Sequence, residues 1–250
     1  MSNCKPSNTP CEVGLKLSTN STQKVDGKLY TQLGGSLLYL TITRPVIAYA
    51  VGIVSRYMED PHIEHWKAAK RILKYIKGTY NIGIEYNYGG EPTLVGYTDY
   101  DYASDIDDRN STSNYILHLG SGPISWGNKK QYAVSLSSIE AEYVVSSKAS
   151  QEALWLRRVL EETHHRQDFP AIIFYDNQST IKFAKNIVYH AISKNVEVHH
   201  HFVHDLIENE VMGLQFCGSE DQIADIFTKE LPNVKFVKII SLLHLKEVVI

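Results

Sequence analysis

Four acids in this 250-residue chain stand where apolar sequence would bring them together, and carboxylates so gathered hold divalent cations. Asp99 ends the run Leu94-Val95-Gly96-Tyr97-Thr98, and Asp176 ends Ala171-Ile172-Ile173-Phe174-Tyr175. Short β-friendly runs of this kind read as strands. In open α/β sheets, sites form beyond the carboxyl ends of such strands. Asp225 lies among Ile223, Ala224 and Ile226 in an expected helix from about Glu220 to Lys229, where Asp221 is placed to cap. An acid in an apolar turn is costly unless it is paired or bound to a cation.

A long expected helix, about Ser138 to Glu162, supplies the remaining acid, and helical phase separates its two glutamates. Ser137-Ser138-Ile139-Glu140 is a capping box, so Glu140 has a local task at the helix start. Steps from Glu142 give Val145, Ala149, Ala153, Leu156 and Leu160, the small and apolar face that should lie on a sheet. Glu142 is therefore taken as the ligand and Glu140 as an auxiliary candidate. Four convergent carboxylates repel one another unless a cation relieves them. All-oxygen ligands without Cys favour Mg²⁺ or Mn²⁺ over zinc. Two such ions ~3.5–4 Å apart are the usual arrangement for phosphodiester cleavage, which points to a nuclease. The competing reading is that Asp99 and Asp176 are unrelated turn acids.

Stepping along the chain gives the elements that would position these acids. From Thr93 onward, three strands with short links imply an antiparallel meander, followed by alternating helix and strand. That pattern predicts a mixed α/β sheet with helices on its faces. Before it, residues 1–27 are a polar lead-in that looks cut from something longer, and Leu33–Leu40 with Ile47–Tyr57 read as an αα-hairpin. The apolar run from Ser36 to Val54 is broken by Arg44-Pro45, so it reads as a buried helix pair and no membrane partner is expected. The next helix has Asp60 to cap it, Pro61 in its first turn and Gly78 to end it. Its apolar stripe is Ile63, Trp66, Ala69, Leu73 and Ile76. The opposite face carries Lys67, Lys70, Arg71, Lys74 and Lys77, either a phosphate-tracking stripe or a solvated surface. With a net charge of −3, any nucleic-acid binding must rest on such a local patch. Cys4, Cys11 and Cys217 lack zinc-type spacing and suit free thiols in a reducing compartment; the amino terminus has no apolar core for a secretory signal.

Several motifs resemble one family closely. They are Gly96-Tyr97-Thr98-Asp99, Asp108-Arg109-Asn110-Ser111-Thr112-Ser113, Ile124-Ser125-Trp126, Leu136-Ser137-Ser138-Ile139-Glu140-Ala141-Glu142-Tyr143, Asp176-Asn177-Gln178-Ser179 and Ala224-Asp225-Ile226-Phe227-Thr228-Lys229. Upstream, Gly35–Leu40 and His65–Leu73 join them. Together they resemble the carboxy-terminal part of a copia-type retrotransposon Pol polyprotein. The resemblance implies a thumb/connection-like helical segment of its reverse transcriptase at 28–90, a ribonuclease H-like domain with a five-stranded mixed sheet at 91–231, and a tail helix at 232–250. It puts Asp99, Glu142, Asp176 and Asp225 on the ribonuclease H carboxylates, binding two Mg²⁺ or Mn²⁺ ions. The implied activity is hydrolysis of the RNA strand of an RNA/DNA hybrid, told apart by 2′-hydroxyl contacts and shape. Arg109, Asn177 and Gln178 are expected at the nucleic acid, with the rest of the polyprotein as partner and an intracellular setting, cytoplasmic or nuclear; Lys129 and Lys130, in the loop from Trp126 to Tyr132, read either as phosphate contacts or as plain surface charge. The alternative is a catalytically inactive remnant that folds and binds nucleic acid without cleaving it.

The sequence departs from the family pattern in places. Tyr100, Asp101 and Tyr102 follow Asp99 where Ala and then Asp-Trp are usual, and Tyr100 would crowd the ions. Val46 stands for Asp, Asn114 for Gly, Asn195 for His, and His199 and His204 for Arg, which weakens phosphate contacts at neutral pH. His201 matches a family histidine and is an auxiliary candidate for proton transfer. His200 and His204 have a zinc-like spacing, with no third ligand evident from sequence.

Overall fold

The computed structural model describes residues 3–19, 23–87, 89, 92–101, 112–130, 138–185 and 194–248. In chain order its elements begin with helix α1 (Gly27–Leu40), a 3-10 turn Pro45–Ile47, α2 (Ala48–Ser55) and α3 (Ile63–Gly78). Strands β1 (Ile82–Ile84), β2 (Leu94–Asp101), β3 (Thr112–Leu119) and β4 (Gly122–Lys130) follow. Then come α4 (Ser138–Glu162), β5 (Ala171–Tyr175), α5 (Gln178–Lys185), α6 (Lys194–Glu208) and β6 (Met212–Phe216). A 3-10 helix Ile223–Phe227, α7 (Asn233–Leu242) and β7 (Leu245–Glu247) complete the chain. Two compact units result: one runs to Ile84 and resumes at Lys229, and the other spans Glu85 to Thr228.

In the first unit, Asp26 caps α1 by accepting from the backbone N–H groups of Lys28 and Leu29 (2.9 and 3.1 Å), which satisfies two donors the helix leaves open. The expected αα-hairpin is present, and Tyr30, buried on α1, donates its hydroxyl to Val54 O of α2 (2.8 Å). The stripe on α3 lies about one residue away from the expected one: His65, Ala68, Ala69, Ile72 and Tyr75 are buried. Aromatic partners rotate the face, since Tyr57 stacks on His65 (ring centroids 3.8 Å) and Tyr75 meets Phe236 of α7 edge-on (5.7 Å). Nor does Asp60 cap α3. Asp60 pairs with Lys24 (2.8 Å), and the helix starts at His62, whose N–H donates to His65 Nδ1 (3.0 Å). Beyond α7 the chain forms β7, which pairs antiparallel with β1 (Ile82 with Glu247, Ile84 with Leu245).

The second unit is the expected mixed five-stranded sheet with helices on it, ordered β4-β3-β2-β5-β6. β2, β3 and β4 form the antiparallel meander, while β5 and β6 run parallel to β2. Gly96 lets the centre of that sheet close: a Cβ there would come within 2.6 Å of both Ile173 Cδ1 and Leu117 Cδ2. Val145, Ala149, Ala153 and Leu156 of α4 are buried, the face expected from the helical count. Ala153 and Leu156 join Leu117, Ile173, Val203 and Leu214 in the core. Each fully buried Leu, Ile or Val contributes roughly 1.5–3 kcal/mol.

Candidate metal centre

Parallel pairing of β2 with β5 brings two acids level. The register sets Val95 beside Ile172, Gly96 beside Ile173 and Tyr97 beside Phe174. Two residues further along both strands are Asp99 and Asp176, at the same end of the sheet. Asp225 arrives from the 3-10 helix. Ligand oxygens of Asp99, Asp176 and Asp225 all lie within 4.8 Å of one another, with Asp99 and Asp225 buried and Asp176 half-buried. The spacing suits hard oxygen coordination of a divalent ion.

Side chains outside the family motifs' acids hold this geometry. Gln222, fully buried, donates Nε2 to Thr98 O of β2 (3.0 Å) and accepts at Oε1 from Ala224 N (3.2 Å). Gln222 therefore caps the 3-10 helix, where Asp221 was the expected cap, and the α-helix expected from Glu220 to Lys229 is this shorter turn. Asn128 Nδ2 donates to Phe227 O (3.0 Å), fastening the far end of the turn to β4. Thr228 Oγ1 lies 2.6 Å from Asp99 Oδ2. The bonds of Gln222 to Thr98, Asn128 to Phe227 and Thr228 to Asp99 join groups far apart in the chain and do not show in sequence, whereas the Gln222 cap on Ala224 N is local; of the three side chains only Thr228 lies within a recognised motif.

The acids impose a negative field on their surroundings. Cys217, whose N–H donates to Tyr175 O (2.8 Å) at the end of β5, has its thiol pushed up to about 11. Burial is the larger cause, followed by the charges of Asp176, Asp221, Asp225 and Asp99. Tyr100, half-buried, lines the same pocket with Thr98, Asp99, Val145, Asp176 and Thr180.

The other candidates are placed as follows. Glu140 and Glu142 lie on α4, in its first turns; their side chains are outside the described residues, as are those of Lys129 and Lys130, while Arg109 lies outside altogether. Asn177 Oδ1 accepts from Ser179 N (2.9 Å), capping α5, and Gln178 is exposed beside it. His201 pairs with Glu197 one turn back (3.9 Å) and is outside the aspartate group. His199 shares a hydrogen bond with Ser147 Oγ (2.9 Å), and burial, then the Lys148 charge, lowers its pKa. His204 does gain neighbours of ligand type, Asp205 and Glu208, whose ligand atoms lie within 4.8 Å of its own, both acids being exposed. In the first unit, Lys67 pairs with Glu64 (2.9 Å), and Lys70 Nζ sits 5.0 Å from the Trp66 ring centre. Arg71 donates to Thr9 Oγ1 (3.0 Å), Lys77 donates to Cys4 O (2.9 Å) and Lys74 is exposed.

No family model matches the chain. It is 39% identical over 245 residues to the Retrovirus-related Pol polyprotein from transposon TNT 1-94 of Nicotiana tabacum, covering 94% of this chain and 18% of that polyprotein. It is 38% identical over 237 residues to the Retrovirus-related Pol polyprotein from transposon RE2 of Arabidopsis thaliana, covering 94% and 16%. The chain thus spans under a fifth of the length of these relatives. A solved structure of LC11-RNase H1 in complex with RNA/DNA hybrid is similar at 9% identity and a TM-score of 0.39, over 52% of this chain and 88% of that one. The second unit is a mixed α/β sheet with helices on its faces. Over 94% of its length the chain is similar to a segment of the retrovirus-related Pol polyproteins of transposons. Among the described residues, no helix is long and apolar enough to cross a membrane.

Proposed function

We propose that this copia-type polyprotein segment is an endonuclease that hydrolyses the RNA strand of RNA/DNA hybrids. The observation that carries the reading is the meeting of three aspartate oxygens within 4.8 Å at the carboxyl ends of β2 and β5. The donor set is all oxygen and partly desolvated, which fits Mg²⁺ or Mn²⁺. Asp99, Asp176 and Asp225, with Glu142 from α4, would hold two such ions, which when bound supply activated water and charge neutralisation at the phosphate. The chain's own part is to hold the carboxylates in place before substrate arrives. Gln222 keeps the Asp225 turn against β2, and the Asp99 carboxylate is anchored from Thr228. Hybrid, rather than a sequence, is the expected substrate, met through backbone and 2′-hydroxyl groups. The remainder of the polyprotein, reverse transcriptase included, is the expected partner.

Labelled RNA/DNA hybrid incubated with Mg²⁺ tests this directly. The parent protein should cut the RNA strand, Asp99→Asn and Glu142→Gln should abolish cutting, and Glu140→Gln should retain it. No cutting by the parent, or equal cutting by Asp99→Asn, overturns the enzyme reading. One observation favours a second reading, a folded remnant that binds without cleaving: Tyr100 is among the residues lining the pocket that Asp99 and Asp176 share. Tyr100→Ala raising cleavage from nothing to measurable would support it.

A further inference from the structure

Thr228 is buried to 1% exposure, and its Oγ1 is 2.6 Å from Asp99 Oδ2 and 3.1 Å from Asp225 O. A hydroxyl carries one proton. The carboxylate partner is at the distance of a charge-assisted O–H···O⁻ bond, so the proton goes there and the carbonyl contact is secondary. Thr228 N already donates to Asp225 O (3.2 Å), so the local turn is closed by the backbone without the side chain. The hydroxyl instead joins the carboxylate of Asp99 to the turn that carries Asp225, 129 residues away in sequence.

We infer that Thr228 is a positioning residue of the candidate metal centre: its hydroxyl fixes the rotation of the Asp99 carboxylate and couples it to the Asp225 turn, so that cation affinity depends on that proton. This rests on the reading of the three aspartates as cation ligands. A carboxylate free to rotate loses its preset ligand geometry when the ion arrives. Partners of metal-ligating carboxylates of this kind typically change metal affinity by about 10–100-fold when removed.

The test is Mn²⁺ binding by isothermal titration calorimetry on the full chain without nucleic acid, with a thermal melt of each apo protein. Thr228→Val keeps the shape and removes the donor, and should weaken Mn²⁺ binding by about 10–100-fold. Thr228→Ser keeps the donor and should bind like the parent. Thr228→Ala gives the same readout as valine without setting a methyl against the carboxylate, should valine fail to fold. Parent-like binding by the valine and alanine variants overturns the role of Thr228 and leaves the metal centre standing. Weakening by serine as great as by valine also overturns it, assigning the residue to packing. A parent protein that binds no Mn²⁺, or binds it as well after Asp225→Asn, overturns the metal centre and the inference together.

Discussion

The acids around Asp99 and the cations on α3 carry the same kind of signal in sequence, charge at a regular place, yet the structure disposes of them differently. Asp99, Asp176 and Asp225 come from three elements and meet, while polar partners from β4 and the 3-10 helix hold the surrounding backbone. Lys67, Lys70, Arg71 and Lys77 come from one helix and spread, each with a contact inside the first unit, to Glu64, the Trp66 ring, Thr9 and Cys4. Like charges on one helix face need no cause beyond solvation, whereas buried acids gathered from distant sequence carry a desolvation and repulsion cost that something must offset. Convergence across elements is the stronger indication of chemistry.

The contrast can be broken most sharply at Asp225. Asp225→Asn should lower hybrid cleavage by several kcal/mol of barrier, on the order of 10³-fold, while the apo protein's melting temperature is not lowered, because a buried repulsive charge has been removed. A large loss of stability with cleavage retained would make Asp225 a structural acid. A middle-sized effect is expected at Gln222, whose amide makes two buried hydrogen bonds. Gln222→Ala should cost about 1–3 kcal/mol in a denaturant melt, because Thr98 O and Ala224 N lose their partner. The smallest effect belongs to the cations. Lys70→Gln with Lys74→Gln should leave stability within about 0.5 kcal/mol and reduce the slope of log affinity for hybrid against log salt by roughly 0.9 per phosphate contact removed. An unchanged slope assigns that face to solvent.

How far the site could be read ahead of the structure follows the reach of each signal. Asp176 is legible because a fully apolar run announces β5 and its end; the strand expected to stop at Asp99 is present but runs two residues further, to Asp101, its pairing with β3 continuing where the apolar sequence stops. The face Val145, Ala149, Ala153 and Leu156 is legible because a long helix averages out phase errors. The stripe on α3 is displaced by a residue because Tyr57 and Phe236, which choose His65 and Tyr75 as partners, arrive from other elements. The 3-10 helix escapes for a different reason: at five residues it is too short for periodicity, and Gln222, which caps it through Ala224 N, is itself held by a bond to Thr98 O, 124 residues distant. Side-chain bonds of that range are products of tertiary packing and leave no local trace.

The pairing of β1 with β7 also bears on the order of folding. The first unit contains strand residues from both sides of the second, so it cannot be completed until Leu245–Glu247 has been synthesised. The sheet that carries Asp99 and Asp176 is finished earlier, at β6, and Thr228 follows soon after. During synthesis the five-stranded sheet can therefore close first, while α1, α2 and α3 wait for a distant strand, a long-range contact of the kind that forms slowly.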